Sequence, residues 1–153
     1  MAFANPTTPN LADFNLFLTD QVGISSTVLP STSPYPGYAL DQAIDLVPCL
    51  PPAGILYTLA AYNGATHILF AITPDQEGQT FFATMRSAAG YGLVLPSTGL
   101  VVTTFDQGTG ATLAQPKWAD GLTIDQLDFF KSPYGRYYLA YLQKSGPTIV
   151  GLT

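Results

Sequence analysis

The sequence predicts a mainly α fold: a helical bundle around a central apolar helix, with a β-hairpin insertion and extended terminal arms. Three observations predict it. Residues 53–72 form an uncharged run, AGILYTLAAYNGATHILFAI, between Pro51-Pro52 and Thr73-Pro74. Shorter stretches on both sides repeat apolar residues at helical spacing. Only residues 93–118 break that pattern, with β-branched runs around a Gly-bearing turn. One domain accounts for 153 residues.

Residues 1–9 are small, polar and Pro-bearing, and read as an N-terminal arm. Asn10 can cap a helix whose first turn carries Asp13, and Gly23 closes it. Residues 24–37, with prolines and hydroxyls, read as a loop. The next helix starts at Tyr38, with Leu40, Ala43, Ile44 and Val47 on one face and Asp41 and Asp45 opposite, and Pro48 stops it. The central run is long enough for a membrane span. However, Thr58, Asn63, Gly64, Thr66 and His67 interrupt it and no flanking cation orients it, so a buried core helix is expected. A helix over about residues 80–92 completes a helical core spanning 10–92. The capping box Thr123-Ile124-Asp125-Gln126 opens a short helix. Ser132-Pro133 opens the last one, which ends near Gly146. The C-terminal helices thus occupy 119–146, and 147–153 is an extended tail.

Composition narrows the function. A net charge of −5 and no basic stripe argue against direct nucleic-acid binding. A single cysteine, Cys49, allows no internal disulfide. The N-terminus lacks a basic segment followed by an apolar run, so a non-secreted protein is expected. Only 10% of residues are charged, with 13 Pro and 14 Gly. That fits a subunit whose surface is partly covered by neighbours, or a monomer with a hydroxyl- and amide-rich surface.

Chemistry is sparse. His67 is the only histidine, which excludes His-rich metal sites. It could pair with Cys49 as base and nucleophile. The simpler reading is a hydrogen-bonded core histidine with Asn63, one turn earlier, as partner. The acids Asp41, Asp45, Asp75, Glu77, Asp125 and Asp128 are scattered and read as solvated. Gly108-Thr109-Gly110 opens no helix, which fails a phosphate loop. No catalytic residue, metal or cofactor is expected. Tyr134, Tyr137, Tyr138 and Tyr141 crowd the last helix beside Arg136. Tyrosine and arginine are enriched in buried interfaces, and four tyrosines in eight residues exceed one helical stripe. Tyr134, Arg136, Tyr137 and Tyr141, with Ile149, Val150 and Leu152 of the tail, are therefore the candidate partner-binding residues.

Several strings together resemble small structural proteins of the head-to-tail junction of tailed bacteriophages. They are Tyr38-Ala39-Leu40-Asp41-Gln42-Ala43, Leu56-Tyr57-Thr58-Leu59-Ala60-Ala61-Tyr62-Asn63, Pro74-Asp75-Gln76, Ser132-Pro133-Tyr134-Gly135-Arg136-Tyr137-Tyr138-Leu139 and Gly151-Leu152-Thr153. The resemblance runs from about residue 10 to the end and is weakest over 93–118. It implies an adaptor: a homo-oligomeric ring of about twelve copies joining the portal protein to a tail or nozzle protein. DNA would cross its lumen without sequence-specific binding. The implied location is the virion, after assembly in the host cytoplasm, with no membrane and no catalysis. The alternatives are another virion part, such as a tail nozzle or tube or a capsid decoration protein, or a small Cys/His enzyme.

Overall fold

The computed structural model describes residues 3–4, 7–45, 54–91, 104–106, 109–111 and 128–145. The chain is mainly helical, as the sequence predicts. Among the described residues the main helices are α1 (Leu11–Phe17), α2 (Tyr35–Asp45), α3 (Ile55–Ile72), α4 (Phe81–Ala89) and α5 (Pro133–Ser145). Leu18–Val22 continues α1 as one wider π turn. Two three-residue strands, β1 (Thr104–Asp106) and β2 (Thr109–Ala111), pair antiparallel with Phe105 opposite Gly110. The remainder of the expected hairpin insertion, the capping box at Thr123 and the stop at Pro48 lie outside the described residues.

α1 starts where its cap predicts. The Asn10 side chain accepts the Asp13 N–H at 2.9 Å and donates to the Asp13 carboxylate at 2.6 Å. Gly23, at φ 80°, ends the π turn. α2 begins three residues earlier than the sequence indicates, at Tyr35. Pro36 falls in its first turn, where a missing N–H breaks no helical bond. The first i→i−4 bond runs from Tyr38 N–H to the Pro34 carbonyl at 3.2 Å.

α3 is the element on which the others pack. It is long and apolar enough to cross a membrane, yet 67% of it is buried inside the protein. Tyr57, Ala60, Ala61, Tyr62, Ala65, Leu69 and Phe70 are all buried. α1 docks on it through an aromatic cluster: Tyr62 meets Phe14 at 5.4 Å and Phe17 at 5.6 Å between ring centroids. The described part of the N-terminal arm lies on this same core. Phe3 packs edge-on to Phe17 at 5.4 Å, its N–H donates to Asp20, and the Thr7 carbonyl accepts from Gly54 N–H.

The turn from α3 to α4 is tied by Arg86 and by Asp75, which the sequence alone left as a solvated acid. The Asp75 carboxylate accepts the backbone N–H groups of Phe82 and Ala83 at 2.7 and 2.8 Å, capping α4 from outside. Arg86 reaches back to donate to the carbonyls of Thr73 and Phe70 at 2.6 and 3.2 Å, satisfying the end of α3.

α5 crosses α3 at close range because α3 supplies a glycine, and a second glycine lets α5 fold back on the segment before it. A Cβ on Gly64 would lie 2.8 Å from the Tyr138 ring. On Gly135 it would press into the Phe129 backbone, 2.9 Å from its Cα and closer still to its carbonyl oxygen. Helix propensity favours Ala over Gly by about 1 kcal/mol. Here the clash is with backbone, which cannot rotate away, and overpacking costs about 1–3 kcal/mol or more. Gly135→Ala is therefore expected to destabilise the chain despite its helical setting. A urea midpoint equal to or above wild type would refute the close approach.

Candidate functional site

Among the described residues, two places carry more chemistry than packing requires: the exposed side of α5 and the surroundings of His67.

On α5, burial sorts the tyrosines. Tyr138 is buried, and its hydroxyl donates to the Ala43 carbonyl on α2 at 3.2 Å. Burial pushes its phenol well above the usual range. Tyr134 is half-buried, its ring edge-on to Phe70 at 5.6 Å. Tyr141 is also half-buried against the core. Arg136 and Tyr137 face outward, with Tyr137 44% exposed. Of the candidate partner-binding residues, Arg136 and Tyr137 thus present a free outer face, whereas Tyr134 and Tyr141 spend part of their area inside. Ile149, Val150 and Leu152 lie outside the described residues, as does Cys49, so its suggested pairing with His67 does too.

His67 is buried in α3 at 2% exposure. Its Nδ1 lies 2.8 Å from Ser132 Oγ and 2.7 Å from the Tyr91 hydroxyl. Its Nε2 lies 3.5 Å from Asp128, which also pairs with Lys131. The ring stacks on Phe129 at 4.4 Å and tilts against Tyr91 at 5.0 Å. One proton arrangement satisfies every group. Nε2–H points to Asp128, Nδ1 accepts from Ser132, and Tyr91 donates to the His67 carbonyl at 3.2 Å. Ser132 Oγ accepts from Gly135 N–H at 2.9 Å as the N-cap of α5.

Burial holds the imidazole pKa down at about 4, against an ordinary value of 6.5. Asp128 opposes this and Lys131 reinforces it. Burial also lifts the Tyr91 phenol to about 12. A neutral ring thus serves as acceptor and donor between three segments of the chain.

Serine, histidine and aspartate in sequence around one ring have the composition of a nucleophile relay. The geometry differs in function: Ser132 is 3% exposed and its oxygen already caps a helix. The cluster joins α3 to Tyr91 and to the start of α5. The partner expected for His67, Asn63, is not among its contacts; Asn63 donates to the Leu59 carbonyl at 2.7 Å instead. Asp128 was read as part of a solvated face, but it is a partner of His67. Sequence reasoning missed Ser132, Tyr91 and Asp128 because they lie 65, 24 and 61 positions away and no spacing rule links them. Ser132 did carry a signal as a helix cap, which located it without revealing its second bond.

Among the described residues no group of three or more metal-ligating side chains occurs. No protein-family model, curated protein or solved structure matches this chain.

Proposed function

We propose that this chain is a virion structural protein: an adaptor ring subunit joining the portal to the tail of a tailed bacteriophage. The observation that carries the reading is the state of its surface. Among the described residues, Leu11, Tyr38, Ile55, Leu56, Ile72 and Tyr137 stand 40–61% exposed. Only 10% of the sequence is charged. Apolar surface left open on a weakly charged chain suits a subunit that neighbours cover. The strings that resemble head-to-tail junction proteins supply the phage setting; those within the described residues lie on α2, α3, the Asp75 turn and α5 with its cap.

The fold that accompanies this reading is a helical bundle around α3, with a β-hairpin insertion at 93–118 and extended arms. The tail at 147–153 would anchor to a partner by adding to a sheet edge, using Ile149, Val150 and Leu152. An acidic ring would repel DNA crossing its lumen and keep it from sticking.

Quantitative mass spectrometry of purified virions tests the proposal. A ring subunit is expected at about a dozen copies per particle, and a decoration protein at hundreds. Removing residues 147–153 should weaken docking to portal or tail while far-UV circular dichroism retains the helical signal. Absence of the chain from purified particles would end the reading.

A further inference from the structure

The faces of α2 and α5 that turn away from the core are two stripes of opposite character. On α2, Tyr38, Asp41 and Asp45 are exposed at helical i, i+3, i+7 spacing, and Tyr38 is 61% open. On α5, Arg136, Tyr137 and Ala140 are exposed at i, i+1, i+4. One stripe is acidic and aromatic. The other is basic and aromatic, with a small residue that lets a neighbouring helix approach.

Both helices pack their buried faces on α3, and one hydrogen bond ties them to each other. The Tyr138 hydroxyl donates to the Ala43 carbonyl, and both residues lie on the side of their helix opposite its stripe. Within one molecule both stripes therefore stay exposed on the outer sides of their helices. Charge complementarity then requires a second molecule, and the chain supplies both halves of the match itself.

We infer that the α2 stripe of one copy docks on the α5 stripe of the next, with Arg136 set against Asp41 and Asp45 and Tyr38 packed on Tyr137 and Ala140. The inference rests on the ring reading for its setting and gives that ring its contact. The contact is heterologous: each copy uses two different patches and leaves one of each free. Such a contact propagates, and it closes into a ring when the rotation between copies permits. Opposite charges at the contact set partner and register, and Tyr and Arg are the residues that most often carry binding energy at interfaces.

The test is a charge swap in the full-length chain, read by sedimentation velocity and native mass spectrometry across protein concentration. Asp41→Arg with Asp45→Arg in one variant, and Arg136→Glu in another, should each weaken self-association at least tenfold. Far-UV circular dichroism should stay unchanged, since all three residues are exposed. An equimolar mixture of the two variants should assemble again, because each then offers the stripe the other lacks. Added salt should weaken wild-type association. Variants that assemble like wild type would overturn this pairing and leave the ring reading intact with its contact elsewhere. A wild-type chain that stays monomeric at every concentration, or a mixture that fails to recover, would also overturn it. The ring reading would then be decided separately by the copy number in virions.

Discussion

Lowering the pH from 6.5 to about 4 should cost the folded chain on the order of 3 kcal/mol through His67 alone. The ring is neutral in the fold because burial holds its pKa at about 4, below the ordinary 6.5. In that window the unfolded chain takes up a proton that the folded chain refuses. Stability is therefore fully present above 6.5, falls as the pH drops toward 4, and has no further His67 contribution below that. The charged ring would have to sit at 2% exposure with Asp128 3.5 Å away as its counter-ion, and Lys131 already shares that carboxylate. Protonation also removes the lone pair at Nδ1, so Ser132 loses its acceptor. The first segment to loosen should be the start of α5, which Ser132 caps.

Urea titrations at a series of pH values measure this directly. In His67→Gln the slope between pH 6.5 and 4.5 should flatten, although the variant is less stable at neutral pH. Asp128→Asn should extend the loss to lower pH, since it removes the one group that favours the charged ring. The chain has a single histidine, so its imidazole resonances report the titration without overlap. A ring that titrates near 6.5, or a stability that is flat from pH 6.5 to 5, would refute the account.

Tyr62→Ala should cost about 3–5 kcal/mol, the usual range for removing a large buried ring. Tyr62 is fully buried and joins three rings from two segments: Phe3, Phe14 and Phe17, at 6.0, 5.4 and 5.6 Å. Its hydroxyl accepts from Asn10 N–H at 3.1 Å and donates to the Asn10 carbonyl at 3.2 Å, so it also fixes the residue that caps α1. Tyr62→Phe keeps the ring and loses only these bonds, at a cost of about 1 kcal/mol. The two variants separate packing from hydrogen bonding. Hydrogen exchange in Tyr62→Ala should rise first over residues 10–22. Equal losses in the two variants, or protection of α1 that does not change, would show that Tyr62 is not the anchor.

Much of the fold is legible from local chemistry. The uncharged run at 53–72, the Asn10 cap, the Ser132-Pro133 start and the periodic faces around them place the helices because each signal acts within one or two turns. The start of α2 was legible less well. Pro36 reads as a breaker in isolation, but it costs nothing in a first turn, and the sequence does not say which turn it occupies. The candidate surface was half legible. Crowding of tyrosines on α5 signals that some must face outward, but only packing against Phe70, Phe129 and Ala43 decides that Tyr137 is the exposed one.

The sequence by itself determined that the chain is helical around one apolar segment, weakly charged and acidic, because composition and periodicity are properties of neighbours along the chain. Only the tertiary structure decided what the polar interruptions do. His67 finds Ser132, Tyr91 and Asp128, Asp75 caps a helix seven residues on, Gly64 admits α5 against α3, and Gly135 admits the Phe129 backbone against α5. It also left the stripes of α2 and α5 exposed. Each of these depends on which helix faces lie together, and that is fixed by burial of the whole core at once.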